Sequence, residues 1–274
     1  MEISGPFRHP GGAFSLSADD RESLREAKRV LEDPGLPARL AHLVGAPIEG
    51  AIRRLPRMWS TVITRATSHA LYLALDTALA TVADPRPRPS RERAHRYVVA
   101  CTGAVGGAFG LPALAVELPA STVLMLRSIV DIARSEGEDL TSVEARLACM
   151  EVFALGGRTP DDDADESAYF AARAALASAV TEAVRYLGAK RMAQRGAPVL
   201  LRLIAEVAGR FGATVTQKVA AQAVPVVGGI GGAALNVLFM THFQNMARGH
   251  FVVRRLERKY GADLVRAEYD RLAL

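Results

Sequence analysis

Three residues beside the most apolar parts of this sequence have side chains suited to acid–base or metal chemistry. Glu117 and Asp131 follow one uncharged stretch, and His242 lies near the end of another. Carboxylates and an imidazole can exchange protons or bind a metal ion if the fold brings them together. They are the candidate catalytic residues of a metal-assisted hydrolase. Their spacing matches no known ligand pattern, so the sequence predicts no metal and no cofactor.

A wider polar cluster is expected around the same positions. Arg127 and Asp131 are four residues apart, which lets them pair on one face of a helix. Asn236 belongs to the second uncharged stretch and can join Glu117 if the two stretches pack together. Charges that border apolar segments usually need a partner. The alternative interpretation of this cluster is a structural one, a buried ion pair with hydrogen-bonded polar neighbours.

The two uncharged stretches are the most distinctive feature of the sequence. Residues 97–116 and 224–243 contain no Asp, Glu, Lys or Arg, and both are rich in glycine with one proline each. About 20 apolar residues can span a bilayer, but glycine and proline in the middle favour a bent helical hairpin. A second explanation for the glycines is close helix packing, because small residues let two backbones approach.

Several common functional motifs are missing. No glycine cluster is followed by the Lys-Ser/Thr pair of a phosphate-binding loop, and none follows a strand as in dinucleotide-binding proteins. Cys101 and Cys149 do not form a metal-binding pair, which suits a reducing compartment. Proline and glycine interrupt residues 1–12, so we expect no secretory signal there.

Composition indicates the fold class. Half of the 274 residues are hydrophobic but only 6% are aromatic, so alanine, leucine and valine dominate. Alanine and leucine are strong helix formers. We therefore predict an all-α, multi-helix bundle built around two glycine-rich apolar hairpins. Residues 1–14 are expected to form a flexible tail, and residues 15–274 a single helical domain with a proline-rich linker at 84–89.

Capping signals and periodicity give the expected helix boundaries. Ser17 is predicted to cap a helix that runs to about Glu32. Apolar residues at helical spacing predict one long helix over about 48–82. Thr141 and Glu144 have the spacing of a capping box. The acidic run at 161–166 is interpreted as a helix start, since carboxylates stabilise that end of a helix.

Positive charge is concentrated near the end of the chain. The formal net charge is +5, and the densest basic cluster follows the second uncharged stretch: Arg248, Arg254, Arg255, Arg258 and Lys259. Basic residues next to an apolar stretch suit an anionic membrane surface, so we expect lipid or a membrane protein as partner and no nucleic acid. The alternative is an ordinary solvated helix face.

The order of short motifs along the chain resembles the EcsC family of bacterial proteins over roughly residues 48–269. The motifs that carry the resemblance are Gly103-Ala104, Gly106-Gly107, Gly110-Leu111-Pro112, Glu117-Leu118-Pro119, Arg127 to Ala133, Gln217-Lys218, Pro225 to Gly228, Gly232, Asn236, Ala247, Phe251, Arg254-Arg255 and Tyr260-Gly261. The resemblance implies a helical protein. It also implies a genetic context near ABC-type exporters and links to membrane and secretion phenotypes, without a settled biochemical activity.

Together these observations predict a non-enzymatic, membrane-associated accessory protein that supports an exporter or another envelope process. Its expected location is the cytoplasm, peripherally attached to the inner face of the membrane. One alternative is a soluble helical protein that binds a partner or an apolar ligand between its helices. The other is the metal-assisted hydrolase. The sequence predicts no oligomeric state.

Overall fold

The structure is a computed structural model that describes residues 15–33, 35–45, 47–56, 58–80, 92–109, 114–157, 167–189, 197–223 and 228–273. Within these ranges the chain is helical and contains no strand, so the all-α prediction is confirmed. The helices are α1 Ala18–Leu31, α2 Gly35–Val44, α3 Ile48–Arg54, α4 Met58–Ala80, α5 Glu92–Phe109, α6 Leu114–Ser135, α7 Val143–Leu155, α8 Ala168–Ala189, α9 Pro198–Gln222, α10 Gly228–Tyr260 and α11 Ala262–Arg271.

Local sequence signals determine several of the helix ends. The Ser17 hydroxyl accepts a hydrogen bond from the Asp20 amide at 3.2 Å and caps α1, as predicted. Pro198 stands in the first turn of α9, where its missing N–H costs no helical hydrogen bond. Gly261 separates α10 from α11 with a φ of 92°, a backbone conformation that favours glycine.

Two predicted boundaries were wrong. The long helix expected over 48–82 is divided into α3 and α4, because Pro56 lies at the break and cannot donate a helical hydrogen bond. The cap of α7 is Ser142, whose hydroxyl accepts from the Ala145 amide at 3.1 Å. Thr141 hydrogen-bonds the side chain of Asp139 instead, so the capping box was assigned one residue too early.

Helix α10 lies at the centre of the fold. It is about 50 Å long at the usual rise per residue, and it contacts α1, α2, α5, α6, α7, α9 and α11. Its contact with α5 is the most extensive between any two of the described helices. A second group forms where α4 packs against α6, α7 and α9, and α8 closes the side formed by α7 and α9.

Buried apolar side chains from all of these helices join in one core. An aromatic cluster fills the junction of α7, α9 and α10, where the Phe153 and Phe211 ring centroids are 5.0 Å apart. Phe239 and Phe243 complete the cluster with centroids 5.2 Å apart. Such ring contacts add stabilisation beyond the burial of area alone.

The two uncharged stretches take different forms. Residues 97–116 include the end of α5 and the start of α6, and these two helices contact each other. Most of 224–243 lies inside α10, which continues without a break through Gly231 and Gly232. The bend predicted at these two glycines was therefore wrong. Pro225, the other residue of the predicted bend, lies outside the described residues.

Some predictions fall outside the described residues. These are the flexible tail at 1–14, the linker at 84–89 and the acidic helix start at 161–166. Among the described helices, none is long and apolar enough to cross a membrane.

Candidate functional site

The two uncharged stretches lie side by side, with α5 packed along the first half of α10. They approach each other very closely at Gly103, which is buried. A Cβ atom at Gly103 would lie 2.5 Å from the carbonyl oxygen of Gly232 and 2.7 Å from the Cβ of Asn236. Real Cβ atoms do not come this close to backbone oxygen, so only glycine fits. The packing of small residues predicted from the sequence is present at this point.

A buried ion pair lies beside this contact and joins α6 to α9. The Lys218 ammonium donates to Glu117 Oε1 at 2.8 Å. Lys218 has no exposed surface, and only 6% of Glu117 is accessible. Asn236 Nδ2 donates to the same carboxylate oxygen at 2.8 Å and contacts the Val99 carbonyl oxygen at 3.3 Å. The cluster of Glu117, Lys218 and Asn236 therefore links α5, α6, α9 and α10.

The ion pair is neutral overall and well compensated. Burial alone would raise the pKa of Glu117, but the charge and hydrogen bond of Lys218, helped by Asn236, hold that pKa below its ordinary value. The Lys218 ammonium also lies 5.0 Å from the centroid of the Phe239 ring, a cation–π contact. Glu117 thus remains a carboxylate, and its buried position suits an anchor between helices better than exchange of protons with a substrate.

The structure does not bring Glu117, Asp131 and His242 together. Glu117 and Asp131 both lie on α6, and 14 positions along a helix correspond to about 21 Å. Asp131 instead faces Arg134 Nη1 at 3.5 Å and His95 Nδ1 at 3.9 Å. The predicted catalytic grouping is therefore not formed, because a helix holds residues at this spacing apart.

His242 is held in the protein core by a hydrogen bond to the backbone. It is buried, and its Nε2 donates to the Gly156 carbonyl oxygen at 2.9 Å, at the end of α7. Burial lowers the pKa of His242 although this hydrogen bond opposes the shift, so the imidazole is neutral at neutral pH. Among the described residues, no group of three or more His, Cys, Asp or Glu side chains is placed to hold a metal ion.

The predicted polar cluster is formed in part. Glu117 and Asn236 meet, as the structural interpretation of the cluster required. Arg127 is exposed on α6, and the partner of Asp131 on its own helix is Arg134.

Sequence reasoning did not include Lys218 in this cluster. The signal was present, because Lys218 falls on the apolar stripe of α9 with Phe211, Thr214 and Val215 at helical spacing. A lysine on such a stripe needs a buried anionic partner.

Each residue of the basic cluster on α10 pairs with a carboxylate of this chain. Arg248 contacts Glu92, Arg254 and Arg258 contact Glu138, Arg255 contacts Glu136, and Lys259 contacts Asp20. These pairs attach α10 to α1, to α5 and to the turn between α6 and α7. Much of the predicted basic charge is therefore balanced within the molecule.

The outer side of α5 and the start of α6 expose apolar side chains. Tyr97 is 75% exposed, Val98 46% and Val116 77%. Cys101 is exposed on the same helix one turn after Tyr97. The inner side of α5 buries Val99 and Gly103, so α5 has one buried side and one side that exposes apolar groups.

Comparison with known proteins identifies the class of protein. The signature of the EcsC protein family matches residues 18–256, which include Gly103 and the buried cluster of Glu117, Lys218 and Asn236. The chain belongs to the EcsC family. No curated protein and no solved structure gives a significant match.

Proposed function

We propose that this protein is a non-enzymatic, membrane-associated accessory protein whose α5–α6 surface rests on the membrane. The observation that carries the proposal is the exposure of Tyr97, Val98 and Val116 in a stretch without charge. Exposed apolar groups of this kind are typical of sites that contact a partner or a lipid surface. Tyrosine suits the region where lipid headgroups meet water, because its ring is apolar and its hydroxyl polar.

The charges near this surface favour anionic lipid. Arg93 is exposed one helical turn before Tyr97, and Arg127 is exposed on α6. Long basic side chains can place their apolar stems on the surface and their charge among phosphate groups. A membrane protein that presents the same chemistry is a second possible partner, and an exporter or another envelope process is the setting that the family resemblance implies.

The proposed contact is peripheral, at the cytoplasmic face of the membrane. The α5–α6 pair would lie in the headgroup region with its apolar side chains pointing towards the acyl chains. Backbone groups in this position need hydrogen-bond partners, and the helical bonds of α5 and α6 provide them. The inner side of α5 would stay packed on α10, so attachment would require no unfolding.

Co-sedimentation with vesicles tests this proposal. The variant Tyr97→Ser/Val98→Ser/Val116→Ser removes three apolar side chains that each contribute roughly 1.5–3 kcal/mol when fully buried. We expect it to bind phosphatidylglycerol–phosphatidylcholine vesicles at least about tenfold more weakly than the native chain. The matched control is Met58→Ser/Leu201→Ser, which changes side chains that are 70% and 48% exposed elsewhere. The proposal fails if the native chain stays in the supernatant at low salt, or if both variants bind equally.

One observation favours the alternative of a soluble interaction or ligand-binding protein. The contact of Gly103 with Gly232 and Asn236 places the inner sides of the two uncharged stretches in the protein core. If their apolar character serves only the core, the chain will purify as a single species without detergent and will not bind vesicles. The same co-sedimentation experiment therefore separates the two functions.

A further inference from the structure

A pocket lies between α7, α8, α10 and α11, away from the α5–α6 surface. Its volume is about 410 Å³, which is enough for a small molecule. Apolar side chains of α8 form one side, among them Phe170, Ala174 and Val180. Charged side chains from α8, α10 and α11 line the rest. The pocket therefore combines an apolar wall with a polar one.

Glu151 is the unusual residue of this pocket. It lies on α7 in a run of buried residues, it is 9% exposed, and it lines the pocket. Within the described part of the chain it makes no hydrogen bond and no ion pair. A buried carboxyl group without a partner is costly, so its position at a pocket points to a ligand.

Charges of both signs surround Glu151, and the arginines of the pocket already have carboxylate partners: Arg254 pairs with Glu138 and Arg266 with Asp270. Arg173, Arg254 and Arg266 line the pocket, against the carboxylates of Glu257 and Asp263. Arg173 makes a two-point ion pair with Glu257, with distances of 2.7 and 3.1 Å. The guanidinium of Arg266 lies 5.2 Å from the centroid of the Phe170 ring, at the apolar wall.

The start of α11 adds further hydrogen-bond donors. Its N-cap is Gly261, no side chain caps it, and Ala262 and Asp263 line the pocket. The first amides of a helix have no partner within the helix, and the helix dipole there is positive. This end of α11 thus favours an anionic group in the pocket.

Glu151 can itself act as a donor. Burial raises the pKa of Glu151; Arg173 and Arg254 oppose this, and Glu144 and Glu257 add to it. A protonated carboxyl group donates its O–H to an acceptor oxygen. It would therefore complement an anion and offer little to a cation.

We infer that this pocket binds a small amphipathic oxyanion, a carboxylate or phosphate monoester attached to a short hydrocarbon group. The oxyanion would accept hydrogen bonds from Glu151, Arg266 and the first amides of α11. The hydrocarbon group would lie on the wall formed by Phe170, Ala174 and Val180. Recognition would depend on both the negative charge and the hydrocarbon group of the ligand.

Isothermal titration calorimetry with simple probes tests the inference. Hexanoate and hexyl phosphate should bind at pH 6, whereas hexanol and hexylamine should not. Binding of hexylamine without binding of hexanoate would overturn it, because the pocket would then recognise a cation. Absence of binding by both anions would overturn it as well.

Two variants on α11, one inside the pocket and one outside it, make the test specific. Arg266→Ala should weaken hexanoate binding about tenfold, the effect of losing one hydrogen bond to a charged group. The matched control on the same helix is Arg271→Ala, which lies outside the pocket and should bind normally. Equal affinities of these two variants would contradict the inference. Because Arg266 is exposed, the result does not depend on a change in the core.

The pH dependence of ligand binding tests the role of Glu151. In the native chain, affinity should fall as the pH rises and Glu151 loses its proton, since a carboxylate repels the anion. Glu151→Gln keeps a donor without a titrating group, so it should bind with a much flatter pH profile. Glu151→Leu should bind at least about tenfold more weakly, because the donor is gone. An unchanged pH profile in Glu151→Gln would exclude Glu151 from the site.

The ligand can be a free metabolite or the headgroup of a lipid, and a competition experiment distinguishes these sources. If hexyl phosphate releases the chain from phosphatidic acid vesicles, and Arg266→Ala weakens vesicle binding, the pocket takes a headgroup. If neither hexyl phosphate nor Arg266→Ala changes vesicle binding, the pocket takes a soluble acid. The Tyr97→Ser/Val98→Ser/Val116→Ser variant should still bind hexanoate, so failure of the membrane proposal would leave this inference intact.

Discussion

The two halves of α10 are held in the fold by different physical means. Residues 228–243 carry no charged side chain and pack against α5 through the glycine contact at Gly103. Residues 244–260 carry all of the charged side chains of the helix and are attached by ion pairs such as Arg254–Glu138. One half depends on the fit of two backbones, and the other on charges that are partly open to water.

This difference predicts different responses to change. Close packing leaves no room for an added atom, so a single methyl group can disrupt it. Ion pairs near the surface are weakened by salt and contribute little one at a time. The buried pair of Glu117 and Lys218 contacts the first half of α10 through Asn236, at a place where water cannot replace a lost partner. The largest effects are therefore expected there.

The largest expected effect comes from breaking the buried ion pair. Glu117→Gln leaves the Lys218 ammonium buried without its counter-charge, which typically costs about 3–5 kcal/mol of stability. Urea unfolding at neutral pH measures this. The double variant Glu117→Leu/Lys218→Met is the control, since replacing both charges by apolar groups is often nearly neutral. A double variant as unstable as the single one would show that the charges are not the cause.

The glycine contact is expected to give the next largest effect. Gly103→Ala places a methyl group against the Gly232 carbonyl oxygen and should reduce the free energy of unfolding by about 1–3 kcal/mol. Gly209→Ala is the matched control inside α9, where an added Cβ would have no neighbour within 4 Å. It should raise stability by about 0.5–1 kcal/mol through helix propensity. If Gly103→Ala is also stabilising, the two helices do not approach as described.

The ion pairs of the second half should give smaller, graded effects. Arg254 is mostly buried and bonds both oxygens of Glu138, at 2.9 and 3.3 Å, whereas Arg258 is exposed and shares the same carboxylate. We expect Arg254→Ala to cost about 1.5–3 kcal/mol and Arg258→Ala less than about 1 kcal/mol. High salt should reduce the loss of stability in Arg258→Ala more than the loss in Arg254→Ala. Equal losses would mean that burial does not distinguish the two arginines.

The hydrogen bonds of Asp20, which attach α1 to α10, should give the smallest effect on stability. This effect should be visible mainly as a change in how stability depends on pH. Burial would raise the pKa of Asp20, but hydrogen bonds from Lys259, Tyr260 and Ser17 hold it below its usual value. Its stabilisation is therefore present above the ordinary aspartate pKa and is lost as the pH falls through the lowered value.

Asp20→Asn should lower stability at neutral pH by less than about 1 kcal/mol. Its urea midpoint should approach that of the native chain near pH 3. A difference that stays constant from pH 7 to pH 3 would exclude titration of Asp20 as the source.

Much of this fold could be predicted from local sequence. Ser17, Gly261 and Pro198 determine helix ends through their own chemistry, and the boundary predicted at Ser17 agrees with the structure. The break at Pro56 also has a local cause, but strong apolar periodicity on both sides concealed it. The continuous helix through Gly231 and Gly232 had no local signal, because its reason is the backbone of α5.

The buried cluster was harder to predict, because contacts between separate helices, not local sequence signals, bring its residues together. Glu117 and Asn236 could be grouped since Glu117 borders one uncharged stretch and Asn236 lies within the other, and they do meet. Lys218 completes the cluster from a third helix, and only its place on the apolar stripe of α9 indicated burial. Asp131 and His242 were placed with Glu117 by chemical type alone. Helix spacing and the hydrogen bond to Gly156 keep them elsewhere.

The central claim is that the inner side of α5 packs on α10 while its outer side meets lipid, and Cys101 offers a direct test. Cys101 is exposed on α5, whereas Cys149 is buried, and burial raises the pKa of its thiol and protects it from labelling. An environment-sensitive fluorophore on Cys101 should shift its emission to the blue when phosphatidylglycerol vesicles are added. The same label on Ser60→Cys, in a Cys101→Ser background, should not shift. Unchanged emission from Cys101 at low salt would contradict the account.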